Sequence, residues 1–348
     1  FWKQMSNFST SEDLKLPEGI NAEFREYQTK GFGWLWFMYK YGLNGILADD
    51  MGLGKTLQAL AVVQKAKEED GPMPVLVICP TTVVFNWESE IQKFAPTLTT
   101  LKLAGVERKQ FFKEIPNYDV VITSYALVRR DINKLKEYNF RYVILDESQN
   151  IKNAMSQTAQ AVKKLQASHK LALSGTPIEN RLEEIWSIFQ VVLPGLLPSK
   201  KEFTKLSPQM VARFIQPFIL RRRKEEVLHD LPDLTENIYT NELSEQQKTI
   251  YLAQLRQMQD TVSNSSAEEL RKRKIEILAG LTRLRQICSS PKLFLDDYHE
   301  ESGKLESLFE LMENLRENGR RPLIFSQFRG MLTYVEDGLK QQGLSSFV

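Results

Sequence analysis

Four short apolar runs, Val75–Cys79, 119–123, 142–145 and 170–173, constrain this chain more than any other feature. Each has the length of a strand and holds at least three consecutive apolar residues, the pattern of a strand covered on both faces rather than one. Segments of helical pattern separate them, at 83–94, 125–137 and 151–166. This alternation predicts an α/β fold around a parallel sheet, because parallel neighbours need a crossover and helices supply it. In such sheets ligands sit beyond the carboxyl ends of the strands. The runs are followed there by Pro80-Thr81-Thr82, Ser124-Tyr125, Asp146-Glu147 and Ser174-Gly175-Thr176, so the polar chemistry collects on one edge.

Ahead of these runs lies Leu47-Ala48-Asp49-Asp50-Met51-Gly52-Leu53-Gly54-Lys55-Thr56, which follows an apolar run and leads into a helix-favouring stretch at 56–67. It reads as a phosphate cradle. Gly52 and Gly54 let the backbone turn with its N–H groups facing inward around Leu53, Lys55 reaches terminal phosphates, and the Thr56 hydroxyl suits Mg²⁺. The helix that follows points its positive dipole end at the same anion. The strict pattern wants Gly or Ala at position 49, where this chain has Asp49, and Gly-x-Gly-Lys-Thr by itself is also compatible with a glycine turn before an ordinary helix.

The second signal is Asp146-Glu147 at the end of the third run. An Asp there can hold Mg²⁺ opposite Thr56, and the adjacent Glu can orient or deprotonate an attacking water. An acidic pair at a helix N-terminus, stabilised by the dipole, is the plainer alternative. Gln28 lies in an aromatic-rich helical pattern at 24–41. Its amide can both donate to and accept from an adenine edge, although alone it would pass as a surface residue.

Composition bounds the rest. At 348 residues the chain has room for two or three domains, and its 26% charged and 42% hydrophobic residues are ordinary for a globular protein. Lys plus Arg number 46 against 44 Asp plus Glu, so any nucleic-acid surface must be local. Cys79 and Cys288 lack metal-ligand spacing and read as reduced thiols. No apolar stretch approaches a membrane span, and Phe1-Trp2-Lys3-Gln4 lacks a signal-peptide layout. A cytoplasmic monomer without membrane contact is expected. The first and last residues suggest an excised fragment.

With these residues in view the chain resembles the SWI/SNF-type chromatin-remodelling ATPases of helicase superfamily two, of a bacterial kind. Besides the phosphate loop, the matching stretches include Cys79-Pro80-Thr81 with Asn86-Trp87, Ile122-Thr123-Ser124-Tyr125, Asp146-Glu147-Ser148-Gln149 and Leu173-Ser174-Gly175-Thr176-Pro177-Ile178-Glu179-Asn180. Further on, Pro217-Phe218-Ile219-Leu220-Arg221-Arg222 and Leu284-Arg285-Gln286-Ile287-Cys288 are similar to family signatures. Ser302-Gly303-Lys304-Leu305 and Leu323-Ile324-Phe325-Ser326-Gln327-Phe328 resemble the opening of a second motor lobe.

The resemblance implies a RecA-like P-loop NTPase lobe with helical insertions and a truncated second RecA-like lobe. The expected boundaries are an approach segment at 1–22, the first lobe at 23–194, helical protrusions and linker at 195–298, and the start of the second lobe from 299 to 348. It implies a motor that couples ATP hydrolysis, with Mg²⁺, to translocation on double-stranded DNA, generally without separating the strands, close to the nucleoid. By similarity Gln28 reads adenine, Lys55 and Thr56 hold phosphate and Mg²⁺, and Asp146 with Glu147 organises metal and water. Pro80, Thr81, Thr123, Ser124, Ser326 and Gln327 are assigned to the DNA backbone, and Gln149, Ser174 and Thr176 to coupling nucleotide state with DNA. Simple helix capping is the plain alternative for the hydroxyls. Arg221-Arg222-Arg223-Lys224 and Arg271-Lys272-Arg273-Lys274 suit either DNA contact or solvated helix faces.

Two departures stand out. Ser148-Gln149 replaces the Ala-His that many eukaryotic members carry, though Gln149 still bonds in both senses. No later arginine-bearing motif follows Phe328, so these residues alone are expected to bind nucleotide and hydrolyse it poorly. Two other functions fit the same residues: a nucleotide-switched module docking on RNA polymerase or nucleoid proteins, and a strand-separating helicase.

Overall fold

The computed structural model describes residues 15–175, 182–228, 236–263, 269–270, 273–295, 297–298 and 302–347. The chain divides between residues 232 and 233 into two compact units. The expected helical region at 195–298 is shared between them.

The first unit is built on seven parallel strands: β1 (Gly45–Leu47), β2 (Val75–Cys79), β3 (Thr100–Lys102), β4 (Val120–Ser124), β5 (Asn139–Leu145), β6 (Gln166–Leu173) and β7 (Ile219–Leu220). Their order is β3-β4-β2-β5-β6-β1-β7. The predicted α/β class therefore holds, and all four predicted strands are present, two of them extended at their N-terminal ends. β3 and β7 were not expected; at three and two residues they leave no periodicity to read, and only their ladders with β4 and β1 define them.

Successive side chains of a strand point to opposite faces, and here both faces are covered. Ile46, Leu76, Ile78, Val121, Val143, Leu145 and Ala172 enter one apolar cluster. Leu47, Val75, Val77, Val120, Ile122, Ile144 and Leu171 enter the other. The second face is closed by α1 (Glu26–Lys40), α2 (Lys55–Asp70) and α3 (Val84–Phe94), which contribute Phe32, Trp34, Leu60, Trp87 and Ile91. The first is closed by α4 (Tyr125–Leu135), α5 (Gln157–Lys163) and α6 (Leu182–Val192), with Val128, Val162, Ile185 and Phe189. The result is a three-layer α/β/α sandwich, as the apolar runs require.

Capping sets where two of the helices start. The 151–166 pattern becomes α5 alone, because the Ser156 hydroxyl accepts the Ala159 N–H at 3.1 Å and starts the helix there. The expected helical region beyond residue 195 begins with two short helices, α7 (Lys200–Phe203) and α8 (Pro208–Ile215). Ser207 caps α8 by accepting the Met210 N–H, and Pro208 at the first turn cannot donate to a preceding one. A last short helix, α9 (Lys224–Val227), follows β7.

The second unit holds α10 (Glu245–Ser263), α11 (Lys274–Ser289), α12 (Gly303–Glu317) and α13 (Arg329–Gln341). Gln247 joins the first two, its buried amide donating to the Ile287 carbonyl at 2.9 Å. Its apolar cluster is small, formed by Leu305, Met331, Val335 and Leu339. Leu323 and Phe325 are 83% and 87% exposed, without a strand partner among the described residues. Among the described residues no helix is long and apolar enough to cross a membrane.

Candidate nucleotide-binding site

The carboxyl ends of β1, β5 and β6 converge on one edge of the first unit. β1 runs into the loop 48–54, in which Gly52 and Gly54 take φ of 84° and 77°, values that side-chain-bearing residues rarely adopt. Gly54 has a second reason to be glycine, since a Cβ there would stand 2.5 Å from Nε2 of Gln28. Leu53 is fully buried beneath the turn. Lys55 opens α2, and its ammonium donates to the Asp49 and Asp50 carbonyls at 2.7 and 3.2 Å, held at the loop's centre. Burial lowers its pKa, while Asp49, Glu147 and Asp146 oppose that shift.

Asp49, the residue that breaks the strict pattern, is completely buried and paired. Arg222, just beyond β7, donates Nε to Asp49 Oδ1 at 2.9 Å and Nη2 to Oδ2, and gives Nη2 to Gln58 Oε1 at 2.7 Å. The Gln58 amide returns to Asp49 Oδ2 at 3.3 Å. The backbone follows the same path, with Ala48 N–H to Leu220 O at 2.7 Å and Asp50 N–H to Arg222 O at 3.0 Å. The first half of the loop is thus an extension of the β1–β7 ladder. This corrects both readings of the 221–224 basic run at Arg222, which is neither a DNA-facing nor a solvated side chain. Arg221, Arg223 and Lys224 are exposed, whereas Arg271 and Lys272 lie outside the described residues.

Opposite the loop stands the acidic pair. Asp146 Oδ2 accepts the Trp87 indole N–H at 2.8 Å and Oδ1 accepts the Glu147 N–H at 3.0 Å. Burial raises the Asp146 pKa, with the Trp87 bond opposing it. Glu147 is, among the described residues, the only non-glycine with positive φ, 48°. Such strain costs on the order of 1–3 kcal/mol and collects at functional sites. It turns the carboxylate toward Gln149, whose Nε2 donates to Glu147 Oε2 at 2.8 Å. Gln149 Oε1 in turn accepts from the Ser174 hydroxyl at 3.4 Å. Gln149 therefore bonds in both senses, linking the acidic pair to the end of β6. Gly175 follows against the loop, where a Cβ would meet Met51 Cγ at 2.9 Å. Thr176 lies outside the described residues.

Other expected residues are placed less simply. Gln28 is buried, with Oε1 accepting the Arg25 N–H at 2.9 Å and Nε2 donating to the Leu53 carbonyl at 3.3 Å, so its amide braces the helix start against the loop. Thr81 is exposed and Pro80 half-buried just past β2. Thr123 and Ser124 are 2% exposed, and the Thr123 hydroxyl donates to the Leu103 carbonyl at 3.1 Å. Their hydroxyls are turned inward rather than presented to a phosphate backbone. In the second unit Gln327 is exposed, while the Ser326 hydroxyl accepts the Phe328 N–H at 3.2 Å; both line a cavity of about 830 Å³ with Arg285 and Lys304.

The residues fit a magnesium nucleotide. Inward-turning loop amides, an ammonium, a hydroxyl and a carboxylate make a donor set for phosphate and a hard cation. Among the described residues no three His, Cys, Asp or Glu side chains group closely enough to hold a metal by themselves. Mg²⁺ keeps water and borrows phosphate oxygens, so a hydroxyl and a carboxylate are the protein ligands it would take here. Sequence reading missed Arg222 as a loop anchor, and the irregular Asp49 was the signal for it. It also missed Trp87 as a partner of the acidic pair.

A parallel sheet with a glycine-lysine-threonine loop at one strand end and an acidic pair at another defines a phosphate-loop nucleotide-binding lobe. A family model described as SNF2-related domain matches residues 27–293, and the chain belongs to that family of ATPase cores. It is 38% identical to the SWI2/SNF2 ATPase core of Sulfolobus solfataricus solved in complex with dsDNA, with a TM-score of 0.60, covering 94% of this chain and 72% of that one. A putative ATP-dependent helicase/translocase of Bacillus subtilis is 39% identical over 90% of this chain, and the TATA-binding protein-associated factor mot1 of Aspergillus fumigatus is 33% identical over 95%. The chain spans 36% and 20% of those two relatives' lengths.

Proposed function

We propose that the chain is the ATP-binding part of a motor that hydrolyses ATP to move along double-stranded DNA. The observation that carries this reading is the facing of Lys55 and Thr56 by Asp146 and Glu147 across one sheet edge, with Gln149 bonded to both Glu147 and Ser174. Bound Mg²⁺ would supply the charge that neutralises the transferring phosphate. The loop N–H groups and Lys55 hold the phosphates, Thr56 and Asp146 hold the metal, and Glu147 accepts a proton from the attacking water. The Glu147–Gln149–Ser174 chain gives the β6 end a way to sense that carboxylate.

Double-stranded DNA as partner is supported by the named complex of the archaeal relative. The exposed Thr81 and Thr82 past β2 and the basic residues Arg285 and Lys304 beside Ser326 and Gln327 are suited to phosphates, which position a duplex without reading its sequence. The relatives called TATA-binding protein-associated factors favour a DNA-bound protein as the object moved, and nothing singles out RNA polymerase.

The test is ATP turnover of the full-length protein with and without duplex DNA. Duplex DNA is expected to raise the rate, Lys55→Ala to abolish it with nucleotide binding, and Glu147→Gln to cut it roughly 10²–10⁴-fold while binding persists. Turnover indifferent to DNA, with nucleotide still bound, would instead favour a nucleotide-switched docking module. Strand displacement exceeding triplex displacement would favour a helicase.

A further inference from the structure

Glu147 holds a positive φ, and two polar side chains close on the peptides either side of it. The Tyr125 hydroxyl donates to the Asp146 carbonyl at 2.8 Å. The Asn150 side-chain amide donates to the Glu147 carbonyl at 2.8 Å, beside the Asn150 N–H at 3.0 Å. The peptide between Asp146 and Glu147 is held on its other edge too. Its N–H meets Asp146 Oδ1, and Oδ2 of that carboxylate accepts the Trp87 indole N–H. Because peptides are planar, φ is a rotation relative to the preceding plane and ψ a rotation relative to the following one. Fixing both planes therefore fixes the backbone of Glu147.

Packing alone calls for neither group. Tyr125 is 6% exposed in the first apolar cluster, where a phenyl ring would fill the same space. Burial pushes its phenol well above the ordinary range, so it stays neutral and donates at any working pH. Asn150 is exposed, outside both apolar clusters of the first unit. A residue in a strained conformation stays there only where its surroundings over-determine it. Here the carboxylate so aimed is the one assigned to the attacking water, with Gln149 Nε2 on its Oε2 at 2.8 Å.

We propose that Tyr125 and Asn150 are positioning residues for Glu147, each fixing one of the two flanking peptides, so that together they hold the strained backbone that aims its carboxylate. The proposal rests on the role given to Glu147 in the nucleotide reading above. It also joins that carboxylate to the end of β4, since Tyr125 follows Ser124 directly.

The experiment measures ATP turnover of the full-length protein with duplex DNA present, in Tyr125→Phe, Asn150→Ala and Glu147→Gln. Binding of a fluorescent, non-hydrolysable ATP analogue is followed alongside. Tyr125→Phe removes one oxygen and keeps the ring. It is expected to lower kcat roughly 10–100-fold, with KM for ATP and analogue binding within about 2-fold of the parent. Asn150→Ala leaves the Asn150 N–H in place, so a smaller loss of about 3–10-fold in kcat is expected, again at parental KM. Added to Glu147→Gln, either substitution is expected to lower kcat by less than about 2-fold more, because groups that act as a unit are not additive. A parental kcat in either folded variant overturns the proposal. So does a loss in the Glu147→Gln background as large as in the parent, because the groups would then act elsewhere. Should Tyr125→Phe fail to fold, Asn150→Ala decides by the same two criteria, since its side chain lies at the surface. Glu147→Gln alone separates the two levels of argument. Parental turnover in that variant defeats the nucleotide reading itself; a collapsed rate there, beside parental kcat in the other two, defeats only this inference.

Discussion

Arg222 shows how much one residue can settle. Its guanidinium lies between Asp49, Gln58 and the Tyr27 carbonyl, with a face 5.3 Å from the Tyr27 ring centroid. Removing one member of a buried pair strands the other charge, at a cost of about 3–5 kcal/mol. Arg222→Ala is therefore expected to be destabilised by about that amount in chemical denaturation. Asp49→Ala combined with Arg222→Met should recover most of the loss, because an apolar replacement of both partners is close to neutral. Equal loss in the single and double variants would show that the pair does not hold the loop. The residue pattern around Lys55 was legible because its chemistry is local. The Arg222 pairing was not, because its partners stand 173 and 164 positions apart in the chain.

A second residue carries a pH dependence. His169 is buried between the rings of Tyr39 and Tyr142, with centroids at 4.6 and 5.0 Å, and its Nδ1 has no hydrogen-bond partner among the described residues. Burial holds its pKa below the ordinary value of 6.5. The folded state then resists protonation more than the unfolded state, so the contribution of His169 is complete above pH 6.5 and falls away as the pH drops toward the lowered folded value. His169→Phe is expected to flatten the difference in denaturation free energy between pH 7 and pH 5 relative to the parent. An unchanged pH profile would remove His169 from the account.

At the scale of elements, the phosphate loop depends on a strand of two residues and on a helix that precedes it. β7 extends the sheet beside β1 and continues as the anchor of Asp49 and Asp50. α1 presses Gln28 against Leu53 and leaves no room for a Cβ at Gly54. Gly54→Ala combines a φ of 77° with a contact of 2.5 Å. It is expected to cost at least about 1 kcal/mol in stability and to weaken nucleotide binding, read by denaturation and by the fluorescent analogue. The long apolar strands were legible from composition alone. β3 and β7 were not, since a strand of two or three residues exists only by virtue of the neighbour that pairs with it.

For the whole molecule the contrast is between two cores of unequal size. The first unit closes both faces of a seven-stranded sheet, while the apolar cluster of the second has four buried side chains with partly buried neighbours. Stability grows with the surface a core removes from water. The second unit is therefore expected to unfold at lower denaturant. All five tryptophans fall before residue 233, so tryptophan fluorescence follows the first unit alone, whereas far-ultraviolet circular dichroism follows both. The circular dichroism transition should begin first and the two curves should not superimpose. Coincident curves would mean that the units unfold as one.

The chain by itself determined the α/β class, the edge on which polar groups collect, and the identity of Lys55, Thr56, Asp146 and Glu147, because apolar periodicity and short motifs act over a few neighbouring residues. Tertiary structure alone decided that Asp49 is neutralised by Arg222, that Thr123 and Ser124 face inward, that Gln149 bridges Glu147 and Ser174, and that α3 reaches Asp146 through Trp87. Each of these is a pairing of polar groups from different elements. Burial makes such pairing obligatory, but only the folded chain says which partner is near enough to meet it.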